Sequence, residues 1–243
     1  MNWGFLNNFM TSVLTSLYNF LDNFIKNDNI TYGLAIILFT IIVRVILFPL
    51  SLNGQKSIMK TTKIQPELKK LQEKYKNDSQ KLQQETMELY KKNGINPLGG
   101  CIPTLLQMPF MLAMFAAFRN LKLLDDVGFL FVKSLNGITK DNYMDFTYYI
   151  LPILTIITQY IMTKSSAKMN PQPQKDPKTG RVEGGMDPAV MNMAFTGIIG
   201  FLSFTTNQSF VLYYFVSNLL YTAQNYVIKW IVDKEELKKK KIV

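Results

Sequence analysis

Arg44 lies inside an apolar run from Tyr32 to Leu50 that is long enough to cross a bilayer, and it is the one charged residue in that run. An arginine at the middle of a spanning helix costs about 2.5–3.5 kcal/mol on insertion scales, so such residues face a bundle interior or a water-filled cavity. The nearest polar boundary, near Leu52, is eight residues or about 12 Å away along a helix. That is more than one arginine side chain comfortably covers, so local hydration explains the charge better than snorkelling. Other apolar runs offer polar neighbours: Thr40 one turn before Arg44, Gln107, Gln159 and Asn192. Tyr214, Asn218, Tyr221 and Asn225 follow at spacings of four, three and four, which places them on one helical face. No Asp or Glu lies in any of these runs. The chemistry that fits is non-covalent: an unpaired positive charge in a polar, aromatic-lined cavity that attracts an acidic or polar segment from the cytoplasmic side. Hydrogen-bonded glue between helices, worth about 0.6 kcal/mol per contact, accounts for any single Gln or Asn, but it needs no net charge.

The chain has no histidine and one cysteine, Cys101. Zinc-protease and serine–histidine chemistries lose their residues at once, and an intramolecular disulfide is impossible. The lone glycine pairs Gly99-Gly100 and Gly184-Gly185 lack a phosphate-loop lysine pattern and read as turns. The expectation is a protein that is not an enzyme, with no cofactor and no metal.

The elements that must position Arg44 follow from where the apolar residues cluster. Five runs have the length and composition of spanning helices: residues 31–52, 97–118, 146–163, 189–206 and 210–231. Basic residues set the orientation, because cytoplasmic flanks collect Lys and Arg. The segments 53–96, 164–187 and the tail from Lys229 hold ten, five and six of them, which is 21 of the 27. The opposite side holds Lys26, Arg119, Lys122, Lys133 and Lys140. The N terminus is therefore expected outside and the C terminus inside, as five spans require. The net charge of +10 then belongs mainly to cytoplasmic loops beside anionic lipid. Nucleic acid is the competing reading of the basic balance, with ribosomal RNA a candidate for the basic tail alone, residues 232–243, where no base-stacking aromatic pattern accompanies it; DNA is not expected.

Residues 1–30 read as an extracytoplasmic amphipathic helix. Leu6, Phe9, Met10, Val13, Leu14, Leu17, Phe20, Leu21, Phe24 and Ile25 recur at three and four residues. A signal peptide is the competing reading, although a basic start and a clean cleavage site are lacking. The segment 53–96 reads as a cytoplasmic helical hairpin. Ile64, Leu68, Leu71 and Tyr75 form one stripe and Leu82, Thr86, Leu89 and Tyr90 another. Asn77-Asp78-Ser79 separates them and Gly94 closes the second helix. A solvated connector is the alternative, but joining two spans needs far fewer residues. The segment 119–145 is an extracytoplasmic loop, and 164–188, rich in Pro and Gly, a flexible cytoplasmic one.

Several motifs, in this order and topology, carry a resemblance. They are Tyr32 to Ile37 running through Arg44 to Pro49-Leu50; Gln65-Pro66-Glu67 and Lys74-Tyr75; Asn96-Pro97-Leu98-Gly99-Gly100-Cys101-Ile102-Pro103 with Gln107-Met108-Pro109; and Leu212-Tyr213-Tyr214 followed by Ser217-Asn218-Leu219. Together they resemble the YidC/Oxa/Alb membrane protein insertases over nearly the whole chain. The resemblance implies an all-α membrane protein: five transmembrane helices, an N-terminal amphipathic interfacial helix and a cytoplasmic helical hairpin. It implies a hydrophilic groove open to cytoplasm and lipid, with Arg44 at its centre and Gln159 on its wall. The short chain looks like the Gram-positive form. Two features depart from the pattern. No cysteine stands near the N terminus, where a lipoprotein signal is common, and Asn207-Gln208-Ser209-Phe210 and Tyr214 replace a Pro-Ala-Gly type turn and a tryptophan.

The expected function is insertion of membrane proteins in the bacterial cytoplasmic membrane. A client's polar flank enters a groove lined by Arg44, Thr40, Gln107, Gln159, Asn192, Tyr214 and Asn218, and its apolar segment leaves sideways into lipid. Nascent clients, the bilayer and the Sec translocon, ribosome or signal recognition machinery are the expected partners, the last three through hairpin and tail. A small transporter or lipid-moving protein with the same basic cavity is the rival, and should more often show inverted repeats with broken helices. A structural partner of the secretion channel is a third reading.

Overall fold

The computed structural model describes residues 3–76, 78–96, 110–118, 127–136, 143–169 and 188–240, with positions 3, 6, 167–169, 188–192 and 235–240 described by backbone alone. Among them the fold is all-α, the one extended feature being an isolated bridge between Phe129 and Val132. The helices are α1 (Trp3–Ile25), α2 (Asp28–Lys63), α3 (Gln65–Lys74), α4 (Ser79–Lys92), α5 (residues 110–118), α6 (Thr147–Met169), α7 (Pro188–Thr205) and α8 (Gln208–Lys240).

The corner between α1 and α2 has a local cause. Lys26 takes a left-handed backbone (φ 50°), and the Asn27 side chain caps α2 by accepting from the Ile30 amide. Asp28 in the first turn complements the helix dipole and accepts a 2.8 Å bond from the Tyr18 hydroxyl. That bond, with burial and the nearby carboxylates, pushes the Tyr18 phenol up to about 12. The apolar residues of α1 divide between two faces. Met10 and Leu14 are buried in the core, while Phe5, Phe9, Phe20 and Phe24 are exposed.

The first long helix runs past the boundary expected at Leu52 and ends at Lys63. The residues from Asn53 to Lys63 include no proline and only one glycine, Gly54, so nothing local stops the helix there. Among the described residues α2 is the one helix long and apolar enough, by length and composition, to cross a bilayer. The hairpin helices are therefore α3 and α4 alone. Pro66 sits in the first turn of α3, Asp78 caps α4 by accepting from the Lys81 amide at 3.0 Å, and Gly94 (φ 60°) follows its last turn. Neither helix contains a buried residue. The seam between them is narrow, as in the Tyr75 hydroxyl bond to Glu85 at 3.3 Å.

The core joins Tyr32, Ala35, Ile36 and Phe39 of α2 to Met114 and Phe118 of α5 and to the buried run Phe210 to Tyr214 of α8. It is closed at one end by residues 127–136. Phe129 packs on Gly33 so tightly that a Cβ there would lie 2.0 Å from the ring. The Gly128 amide donates to Asn29 at the start of α2, the Ser209 amide at the start of α8 donates to the Leu135 carbonyl, and Lys133 pairs with Asp145 at 2.6 Å just before α6. The lysine and two bonds from Thr147 hold the Asp145 carboxyl down at about 2. The starts of α2, α6 and α8 are thus gathered at one turn, and the three helices run parallel from it.

Candidate functional site

Parallel helices with these starting points bring polar side chains to matching heights. Arg44 of α2 is half-buried; its Nη2 donates to Ser217 Oγ of α8 and its Cζ lies 5.2 Å from the centroid of the Tyr221 ring. Three turns further along α2, the buried Gln55 reaches the Tyr221 hydroxyl at 3.4 Å and Asn225 Oδ1 at 3.5 Å through its Nε2. Asn225 in turn donates to Ser166 Oγ of α6 at 3.2 Å. Gln159 and Asn218 lie one heptad before Ser166 and Asn225, so the register that pairs the latter sets the former at one level of the α6–α8 contact. Both are almost fully buried, yet Gln159 Oε1 and Asn218 Nδ2 have no hydrogen-bond partner among the described residues, and neither has Gln224 Nε2.

The result is a polar seam about 16 Å long, measured from Arg44 to Gln55 along α2. It holds amides, hydroxyls, one tyrosine ring and a single charge. Arg44 has no carboxylate partner among the described residues. A hydrogen bond to a charged group contributes about 1.5–3 kcal/mol and a partly shielded cation–π contact about 0.5–2 kcal/mol, a combined range that brackets the insertion cost of the charge. Exposed apolar residues flank Arg44 on α2, Val45 at 66% and Ile46 at 68%. No group of three or more His, Cys, Asp or Glu that would suit a metal occurs among the described residues.

The residues expected from sequence divide into groups. Arg44, Gln159 and Asn218 stand in the seam. Thr40 is buried, and its hydroxyl donates to the Ile36 carbonyl of its own helix at 2.6 Å. Tyr214 is buried in the core with its ring 6.0 Å from Phe210. Gln107 lies outside the described residues, and Asn192 is described only as backbone of α7. Sequence spacing overlooked Ser217, Gln55 and Ser166. Ser217 was legible as the residue one turn before Tyr221. Gln55 was not, because it falls beyond the expected end of the first span.

Comparison with known proteins then bears on what such a seam is for. The sequence pattern that defines the family described as "60Kd inner membrane protein" matches residues 12–235. The chain belongs to this family. The membrane protein insertase YidC of Clostridium tetani is 35% identical over 234 residues, covering 96% of this chain and 98% of its own. That of Clostridium perfringens is 37% identical over 209 residues, covering 86% and 83%. The YidC of Chlorobaculum parvum is 36% identical, but this chain covers 34% of its length. A crystal structure described as active YidC insertase with the first transmembrane domain resolved matches with a TM-score of 0.55 at 27% identity. The match covers 88% of this chain and 46% of that one, so this YidC-type chain spans a little under half of the crystallised protein. The seam lies wholly within the family match.

Proposed function

We propose that this chain inserts membrane proteins, and that the seam between α2, α6 and α8 is the groove that receives a client's polar flank. The observation that carries the reading is Arg44: a charge set in an apolar helix, held by a hydroxyl and a ring rather than by a carboxylate, beside buried amides that lack partners. Such a site neutralises nothing of its own and is ready to take polar or acidic groups from elsewhere. Hydration and the positive charge lower the barrier for a short polar flank to cross half the bilayer. The client's apolar segment then passes sideways into lipid along the exposed apolar side of α2.

In this reading five helices span the bacterial cytoplasmic membrane with the N terminus outside and the C terminus inside. Residues 31–52, 97–118, 146–163, 189–206 and 210–231 are the spans, and α2 continues beyond its span into the cytoplasm. The exposed phenylalanines of α1 suit a helix lying on the outer leaflet. The α3–α4 hairpin and the basic tail face the cytoplasm, where they meet arriving clients, the ribosome, the signal recognition machinery or the Sec translocon. No catalytic residue and no cofactor takes part.

The test is reconstitution of the purified chain in liposomes with a single-span client whose translocated tail becomes protease-protected on insertion. Protection well above that in empty liposomes is expected; protection equal to empty liposomes overturns the reading.

A further inference from the structure

Arg44 has two described partners on α8, and Tyr221 differs from Ser217 in reaching further. Its ring lies beneath the guanidinium, 5.2 Å from Cζ, while its hydroxyl accepts from Gln55. It thereby links Arg44, through Gln55, to the amide cluster of Gln55, Asn225 and Ser166. The hydroxyl contact is long, at 3.4 Å, and long contacts are weak. The ring contact is the stronger of the two, because a half-buried cation over an aromatic face is attracted by its full charge. A guanidinium on a flexible stem otherwise follows its hydration toward the polar residues further along the helix. The ring occupies that path and offers the lower side of the cation a π face instead of water.

We propose that Tyr221 is a positioning residue for Arg44. Its ring keeps the guanidinium at the height of Ser217 and so sets how deep in the groove a client's polar flank meets the positive charge. The inference rests on the insertase reading, since height matters only if clients enter. Tyr221 acts through Arg44, which makes its effect separable from simple packing.

The experiment reconstitutes the full chain as wild type, Tyr221→Phe, Tyr221→Trp, Tyr221→Leu, Arg44→Ala and the Arg44→Ala/Tyr221→Leu double variant. Insertion is measured for two clients that differ only in whether the tail carboxylates are kept or neutralised, at matched amounts of reconstituted protein. Phe and Trp, which keep a ring, should retain most of the insertion, whereas Leu should lose about fivefold on the client that Arg44→Ala harms most. The double variant should be no worse than Arg44→Ala. Equal losses for Phe and Leu place the role in the hydroxyl and overturn the proposal. So does a Leu loss that spreads evenly over both clients when the Arg44→Ala loss does not, or that adds fully to Arg44→Ala, since packing alone gives those results. An unchanged Leu variant overturns it as well. Failure of the wild type to insert either client overturns the insertase reading instead, so the two failures are distinct.

Discussion

A guanidinium clamped between a hydroxyl and an aromatic ring one turn apart keeps its full charge, whereas a carboxylate partner would cancel it. That difference makes a charge-dependent prediction for Arg44. Arg44→Lys keeps the charge and should retain substantial insertion; Arg44→Ala should lose most of it for clients with acidic translocated tails and less for neutral ones. Comparing the same client with its tail carboxylates kept or neutralised measures this, and equal losses for both tails remove the electrostatic role while leaving the polar seam. Gly33 carries a second residue-scale prediction. A methyl group there meets the Phe129 ring at 2.0 Å, and overpacking of this kind costs about 1–3 kcal/mol. Gly33→Ala should therefore lower the thermal midpoint of the detergent-solubilised protein by several degrees, and Gly33→Ala/Phe129→Ala should recover part of the loss. A Gly33→Ala midpoint equal to wild type argues against the close packing of Phe129. The sequence displayed Arg44 because a charge contrasts with its surroundings. It did not display which of its polar neighbours would meet it: Thr40 satisfies itself within its own helix, while Ser217, a residue that spans commonly bury without purpose, supplies the acceptor.

The helices set that outcome through their lengths and starting points. Helix α2 was legible as a long apolar helix from its apolar run, and the α3–α4 turn from Asn77-Asp78-Ser79 and Gly94, because apolar periodicity and caps act locally. The continuation of α2 to Lys63 was not legible, since the residues after Leu52 turn polar and polarity reads as an exit from the bilayer rather than as the middle of a helix. Yet the continuation is what brings Gln55 to Tyr221 and Asn225. The register of α6 against α8 was equally hidden, being fixed by the distant turn that gathers Lys133, Leu135, Asp145 and Ser209. A deletion that probes the hairpin must respect this. Replacing 65–92 by a short Gly/Ser linker leaves Gln55 and the seam intact and removes two helices that contain no buried residue. Thermal stability should fall little, while client insertion should drop severalfold. Full insertion after the replacement reduces the hairpin to a connector.

At the scale of the whole molecule the distribution of charge and the parallel run of α2, α6 and α8 make the same demand. If three parallel helices start at the turn of residues 127–136, the ends of all three lie on the opposite side, and the helices that return between them must cross the other way. In the sequence the basic residues cluster in 53–96, 164–187 and the tail from Lys229, the segments that contain or follow those ends, and the positive-inside rule would assign them to the cytoplasm. The Lys133–Asp145 pair on the other side adds no net charge there, and so does not compete with that bias. A topology test follows. In protein whose one cysteine, Cys101, is replaced by serine, a cysteine introduced at Ser79 in the hairpin should react with a membrane-impermeant maleimide only when the cytoplasmic face is open. One introduced at Met144, an exposed residue just before α6, should react from outside in intact cells. Both positions are exposed, so a failure to label reflects the membrane and not burial in the protein. Labelling of both from the same side would break the alternation of spans, and outside labelling at Ser79 would turn the molecule over and leave the seam opening away from the compartment in which clients are made.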